Sequence, residues 1–184
     1  MEKDIDILFY PAIFYEYKQF DRAQTHMNCP VVSGYPDVIN NNVESLHGKK
    51  YMNPYLSLES EKIIRDRLIE EFEGFSNNDC VLSKKEIKNA VAAAWQELQD
   101  YHDKIRIRGK AIIDYVNKNK LNAIVLAGRP YHIDPEIHHG IPDLIESMKI
   151  PVISEDAIAY NISDIDANVR VLDQWSYHAR LYRA

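Results

Sequence analysis

The chain has 184 residues, of which 46% are hydrophobic and 27% are charged. This composition is typical of a soluble globular protein and argues against a disordered one. The net charge of −6 leaves no basic surplus to neutralise phosphates, and no run of about 18 apolar residues occurs, so we predict neither a nucleic-acid partner nor a membrane partner.

The first predicted elements lie before residue 43. Residues 5–10 form a short apolar run that Pro11 ends, which predicts a buried strand. No basic region followed by an apolar one stands at the N-terminus, so no secretory signal is predicted. Residues 30–32 predict a very short strand, and Pro36 followed by an acidic residue predicts the start of a short helix.

Two helices are predicted in the middle of the chain. Ser60 begins the first, whose apolar residues lie on one stripe and which ends near Gly74. The second begins with a capping box at 83–86 and continues with apolar residues at helical spacing to about residue 118. Because no proline interrupts it, we predict one long helix, or two helices joined near Gly109. Its predicted buried stripe includes Trp95 and Leu98.

The C-terminal half has the pattern of an α/β protein. Residues 122–127 form a continuous apolar run, which is typical of a parallel strand covered on each side. Residues 136–148 predict a helix, residues 151–154 predict another buried strand, and the tail at 162–184 predicts helix. We therefore predict an α/β fold, a single three-layer domain over residues 1–184 with a parallel sheet and one long helix. The central strands are predicted to include 5–10, 122–127 and 151–154.

The segment that follows the 122–127 strand contains four candidate pocket residues. In open parallel α/β sheets, ligands bind outside the carboxyl ends of the strands, which is where AGRPYHIDPE lies. Gly128 would let a ligand approach closely, and Arg129 could offer two hydrogen bonds to a carboxylate or phosphate. His132 could donate a hydrogen bond or move a proton, while Asp134 could orient His132 or cap the next helix.

A second interpretation of the same stretch is structural. Glycine and proline are common in turns, so Arg129 would pair with an acidic neighbour and His132 would be a structural hydrogen bonder. The pair His138 and His139 is not predicted to chelate a metal ion, because adjacent residues on a helix do not face one direction. A hydrolase or transferase that uses His132 would lack a nucleophile placed for it.

The chain has two cysteines, Cys29 and Cys80. They are too few for a disulfide framework or an all-cysteine metal site, and they predict the reducing cytoplasm as the compartment. Cys29 follows the first predicted strand by about one loop length, so we predict that it shares a pocket with Gly128 to His132. The alternative is a buried, inert thiol, which is common for cysteine.

Three segments together resemble a known family. They are residues 28–42 (NCPVVSGYPDVINNN), residues 126–158, which begin LAGRPYH, and residues 173–184 (DQWSYHARLYRA). They resemble the 2-hydroxyacyl-CoA dehydratase activase-related proteins of anaerobic bacteria, also known as CoA-substrate-specific enzyme activases. In that family, ATPase activator modules precede a domain like this one in a large chain. That domain is similar to dehydratase subunits, which hold a [4Fe-4S] cluster with cysteines.

The resemblance implies a fragment of the dehydratase-like domain in an ATP-driven, iron–sulfur electron-transfer system for acyl-CoA dehydration, inactive in isolation. Its implied partners are the ATPase activator modules of the same large chain and an acyl-CoA. Cys29 matches the family's NCP cysteine, a candidate cluster ligand in the full-length protein. Ala12 stands where the family carries a cysteine, and a further family cysteine lies past the end of this chain, so no cofactor is expected in this chain alone.

The residues also leave a different function open. A non-catalytic binding or scaffold domain would recognise an acyl-CoA or a partner protein at the strand ends. Cluster reconstitution with iron and sulfide distinguishes the two functions, because only the redox domain holds a cluster.

Overall fold

The computed structural model describes the chain at residues 5, 7–20, 23–46, 50–73, 76–77, 80–160 and 175–184. The chain divides into two compact units. The first is Met1–Trp95 with Gln174–Ser176, and the second is Gln96–Asp173 with Tyr177–Ala184. Short strands and helices follow one another in both, which confirms the α/β class. That residues 1–184 fold as a single domain stays a prediction.

The first unit begins with short strands and contains two complete helices. Its elements are β1 (Ile7–Phe9), β2 (Ala12–Tyr15), α1 (Pro30–Asn42), β3 (Lys50–Met52), β4 (Tyr55–Ser57), α2 (Glu61–Glu73), β5 (Ser76–Asn77) and β6 (Cys80–Val81). A 3-10 turn also occurs at Glu44–Leu46. Strand β1 pairs in parallel with β3, β2 pairs in parallel with β4, and β5 pairs antiparallel with β6.

A long helix, α3 (Lys84–Asn119), leads to the elements of the second unit. These elements are β7 (Ile124–Leu126), a 3-10 helix at Pro130–Ile133, α4 (Ile141–Ser147), β8 (Val152–Ser154), α5 (Glu155–Ile158) and α6 (Ser176–Leu181), of which the first residue, Ser176, belongs to the first unit. Strands β7 and β8 are parallel. Helix α6 confirms the helical prediction for the end of the tail, whereas residues 161–174 lie outside the described residues.

The predicted single sheet with three central strands is wrong for the described residues. There, β1, β7 and β8 each have one hydrogen-bonded neighbour, so each lies at an edge of a two-stranded sheet. Ile124 and Val125 of β7 are each 37% exposed. An apolar run reports the hydrophobicity of its side chains but not whether another layer covers them. The parallel pairing is confirmed, but the two-sided cover is not found.

Helix α1 begins six residues earlier than predicted. Pro30 occupies its first turn after Cys29, so the predicted strand at 30–32 is instead helical. Proline costs nothing at the start of a helix, because the N–H it lacks has no partner there. Pro36 therefore lies inside α1, where it is fully buried and its carbonyl accepts a hydrogen bond of 2.7 Å from Tyr51.

The capping signals of α2 and α3 are confirmed. Ser60 Oγ accepts a hydrogen bond from the backbone N–H of Ile63 at 3.3 Å. At the start of α3, Ser83 Oγ accepts from the N–H of Glu86 at 3.2 Å, and a Glu86 carboxylate oxygen accepts from the N–H of Ser83 at 2.9 Å. The Ser83 hydroxyl and N–H both lower the pKa of Glu86. The predicted helix end at Gly74 lies outside the described residues.

Helix α3 is one continuous helix through Gly109. Ile87 and Val91 are buried, whereas Trp95 and Leu98 are half-buried. The predicted stripe therefore has the right period, but Trp95 is not enclosed fully. None of the helices in the described ranges has the length and apolarity needed to cross a membrane.

We expect Ser83→Ala to destabilise the chain by about 1 kcal/mol, because the change removes the N-cap acceptor of α3. The free energy of unfolding in urea measures this loss. Lys85→Ala, an exposed change in the same turn, is the control and should have little effect. Equal stabilities of the two variants would contradict the capping role.

The core of the second unit lies between α3, β8 and α5. Ile153, Ala157 and Ile158 are buried together. Four partly buried apolar residues pack against them: Ile105, Ile112, Ile113 and Ala123. Gly109 faces α5 so closely that an added Cβ would overlap the carbonyl oxygen of Ala157. This close approach keeps α5, and therefore the end of β8, against the long helix.

Candidate functional site

The candidate site lies where β7 and β8 end in the second unit. The strands are parallel, and Leu126 pairs with Ser154, so both carboxyl ends lie at one edge. A small cavity of about 10 Å³ lies there, which is room for about one water molecule. Its lining residues are Leu126, Gly128, Arg129, Ile133, Ser154, Glu155 and Asp156. Two of the four predicted pocket residues, Gly128 and Arg129, are among them.

Arg129 is held by a tyrosine from the last helix. Its Nη2 donates a hydrogen bond of 3.0 Å to Tyr177 Oη, and its guanidinium carbon lies 4.8 Å from the centre of the Tyr177 ring. This is a cation–π contact combined with a hydrogen bond, which orients the guanidinium. Tyr177 is 48 residues away in sequence, so spacing around Arg129 could not indicate it.

His132 contacts the backbone of its own turn. Its Nδ1 accepts a hydrogen bond of 3.1 Å from the Arg129 N–H. Because Nδ1 accepts, the proton of the neutral ring lies on Nε2. A Cβ at residue 128 would overlap the His132 ring, so Gly128 makes room for this side chain. The geometry matches the structural interpretation of His132, and its ligand-binding role stays a prediction.

Asp134 caps the turn that follows. Its Oδ1 accepts from the Glu136 N–H at 2.9 Å, and its carbonyl oxygen accepts from the N–H groups of Ile137 and His138. Asp134 therefore caps a turn and not the next helix, because α4 begins only at Ile141, later than predicted. Its predicted role of orienting His132 stays a prediction. Gly140 precedes α4 with φ of 74°, a left-handed conformation that glycine adopts without strain.

Cys29 lies in the first unit, at the N-terminus of α1. Cys29 is 5% exposed, and its backbone N–H donates a hydrogen bond of 2.9 Å to Asn28 Oδ1. Its carbonyl oxygen accepts from the N–H of Ser33 at 3.0 Å. Cys29 and the Gly128 to His132 segment belong to different units, and their shared pocket stays a prediction.

The donor set near Cys29 does not by itself fit an iron–sulfur cluster. A [4Fe-4S] cluster takes a thiolate at most of its four irons. Among the described residues, no group of three or more histidine, cysteine or acidic side chains could hold a metal ion. Ala12, where the family cysteine was expected, is buried as a methyl group with 1% exposure. No reaction step is therefore assigned to a cluster here.

Sequence reasoning missed an acidic pair and its arginine. Glu155 and Asp156 follow β8 directly and line the cavity. The Glu155 side chain is 5% exposed, and one of its oxygens accepts a hydrogen bond of 3.2 Å from Arg180 Nε. Burial raises the pKa of Glu155, Arg180 offsets part of that rise, and Asp156 adds to it. The strand-end rule applied to residues 151–154 would have found the two acids, but not Arg180.

The carboxylates have unused hydrogen-bonding capacity. Glu155 Oε2 and Asp156 Oδ1 are buried, and neither has a hydrogen-bond partner among the described residues. His102 of α3 is near the same charges. Burial lowers the pKa of His102, and Arg106 and Arg180 lower it further. The edge therefore combines cations with buried acceptor oxygens.

Comparison with known protein families gives a match over most of the chain. The family described as the CoA enzyme activase uncharacterised domain (DUF2229) matches residues 1–158. Neither curated proteins nor solved structures match the chain. The matched range contains Cys29, Arg129 and the acidic pair at 155–156, and it confirms the resemblance to CoA-substrate-specific enzyme activases. The chain belongs to the CoA enzyme activase uncharacterised domain family.

Proposed function

We propose that this chain is a dehydratase-like domain of an ATP-driven, iron–sulfur electron-transfer activase system for acyl-CoA dehydration, and that it has no activity in isolation. The family match carries this proposal, because it associates residues 1–158 with the activation of CoA enzymes. The proposed partners are ATPase activator modules of the same large chain, and the proposed compartment is the cytoplasm of an anaerobic bacterium.

An ATP-dependent dehydration assay tests the proposed function. Purified activator modules, a cluster-bearing dehydratase partner, ATP and an acyl-CoA would be incubated anaerobically with and without this chain. We expect acyl-CoA turnover to depend on the chain and on ATP hydrolysis. Turnover that is the same when the chain is omitted would contradict the proposal.

Cys29 is the proposed cluster ligand of the full-length protein, whereas the 184-residue chain is expected to hold no stable cluster. A cubane needs more thiolates than Cys29 supplies. Anaerobic reconstitution with excess iron and sulfide, followed by desalting, should leave iron well below one atom per chain. About four irons per chain, lost in Cys29→Ser, would contradict this expectation. Ser33→Ala, four residues from Cys29 in the first turn of α1, is the control for nonspecific effects.

A second candidate function is a non-catalytic domain that binds an acyl-CoA. The observation that favours it is Arg129, oriented by Tyr177 at the rim of the strand-end cavity. A preoriented guanidinium binds an acceptor oxygen with little loss of side-chain entropy. This function needs no cluster, and it agrees with the donor set around Cys29.

We expect Arg129→Gln to weaken acyl-CoA binding at least about tenfold, because a charge-assisted hydrogen bond contributes roughly 1.5–3 kcal/mol. Isothermal titration with an acyl-CoA measures the effect. The control is Arg108→Gln, which removes an exposed arginine of α3 and the same charge. Equal affinities of both variants would show that Arg129 does not contact the ligand.

A further inference from the structure

The strand-end cavity has an acidic floor, and two of its buried carboxylate oxygens have no hydrogen-bond partner among the described residues. The Glu155 side chain is buried, and one of its carboxylate oxygens accepts a hydrogen bond from Arg180. Its other oxygen has no hydrogen-bond partner among the described residues. Asp156 Oδ1 is a second buried oxygen without a hydrogen-bond partner among the described residues. A buried acceptor without a partner costs about 1–3 kcal/mol, so a ligand that supplies hydrogen-bond donors gains by binding here.

The cavity geometry points to the class of group that fits. We propose that the cavity receives an uncharged hydroxyl or amide group, and that in an acyl-CoA this group belongs to the pantetheine arm rather than to the adenosine phosphates. This inference rests on the proposed binding of acyl-CoA by this domain. A pantetheine arm is a linear chain with amide groups and a hydroxyl, each of which both donates and accepts hydrogen bonds.

The surrounding charges argue against an ionic occupant. Two carboxyl groups repel a phosphate, and the Arg180 guanidinium already donates to Glu155, which offsets its charge at the cavity. Among the described residues, no group of three or more histidine, cysteine or acidic side chains could hold a metal cation there. A volume of about 10 Å³ also excludes a purine ring while it accepts one hydroxyl or N–H group.

An amide or hydroxyl also suits either protonation state of the acid. The pKa of Glu155 is raised, by burial first, and the charged groups that act on it are Arg180 and Asp156. A protonated Glu155 donates into the cavity, and an ionised one accepts. A group that does both can bind to either form.

Competition titrations test the inference. The 184-residue chain would be titrated with pantetheine and with adenosine 3′,5′-bisphosphate, each alone and against CoA. We expect pantetheine to bind and to compete with CoA, and Asp156→Ala to weaken pantetheine binding about tenfold. Asp143→Ala is the matched control, because Asp143 is an exposed acid in the first turn of α4.

The possible outcomes decide the inference. It is overturned if pantetheine does not bind, if adenosine 3′,5′-bisphosphate competes in its place, or if Asp156→Ala and Asp143→Ala bind pantetheine equally. If Asp156→Ala does not fold, as judged by thermal melting, the isosteric Asp156→Asn replaces it and should weaken binding several-fold. If CoA itself does not bind the chain, the proposed binding of acyl-CoA is contradicted, whereas CoA binding without competition by pantetheine contradicts only this inference.

Discussion

Gly109→Ala is expected to destabilise the chain by on the order of 3 kcal/mol or more. An alanine Cβ would overlap the carbonyl oxygen of Ala157 and lie 2.7 Å from its carbonyl carbon, so α3 and α5 would have to separate. Backbone atoms cannot move aside as a flexible side chain does. The gain of about 1 kcal/mol that alanine brings to a helix is therefore exceeded by the overlap.

Gly34 provides the matched control for this prediction. It also lies inside a helix, α1, but an added Cβ would meet no atom within 4 Å. Gly34→Ala should therefore stabilise the chain, by up to about 1 kcal/mol. Urea unfolding of both variants measures the two effects, and opposite signs are expected. A stabilising Gly109→Ala would show that α3 and α5 do not approach as closely as described.

Local signals in the sequence predicted the helices well. The capping box at 83–86 and the unbroken apolar period predicted α3, which begins at Lys84 and ends at Asn119. Ser60 likewise predicted the start of α2. These signals succeed because a cap and the residues that it satisfies lie within a few positions of each other in the chain.

The start of α1 shows where a local signal is ambiguous. Both Pro30 and Pro36 could occupy a first helical turn, and sequence reasoning chose Pro36. The structure places Pro30 there and buries Pro36, whose carbonyl oxygen accepts a hydrogen bond from Tyr51, 15 positions away. Tertiary packing compensates for a proline inside a helix, and a short-range pattern cannot reveal such packing.

The candidate site was predicted in part for a similar reason. The strand-end rule located Gly128 and Arg129, which line the cavity. The last helix, α6, contributes two further side chains to this edge. Tyr177 is 48 residues from its partner Arg129 in the sequence, and Arg180 is 25 residues from its partner Glu155. Pairs this distant depend on the folded path of the chain, so spacing in one sequence does not indicate them.

Arg180→Met is the second change expected to have a large effect. It removes the cation that donates to Glu155, whose side chain is 5% exposed, and it leaves that carboxylate unpaired in the interior. Breaking a buried ion pair by removal of one partner costs about 3–5 kcal/mol. The control is Arg67→Met, because Arg67 is 42% exposed and its pairs, with Glu70 and Glu71, lie within one helix, α2. That variant should lose no more than about 1 kcal/mol.

The loss in Arg180→Met should shrink as the pH falls. Burial raises the pKa of Glu155 above its ordinary value even in the presence of Arg180. A carboxyl with a raised pKa binds more protons in the folded state than in the unfolded state, so stability decreases as pH rises through the window between the two pKa values. Without Arg180 the folded-state pKa rises further, and the window extends to higher pH. Urea unfolding at neutral and mildly acidic pH should therefore show a smaller loss in acid.

The double variant Arg180→Met, Glu155→Gln separates lost packing from an unpaired charge. If the charge of Glu155 causes the loss, the glutamine should recover much of the stability and remove the pH dependence of the single variant, since no ionisable group remains at residue 155. If lost packing of Arg180 causes it, the double variant should be no more stable than Arg180→Met at any pH. An Arg180→Met loss that does not change with pH would contradict the buried charge at Glu155, and with it the acidic floor of the cavity.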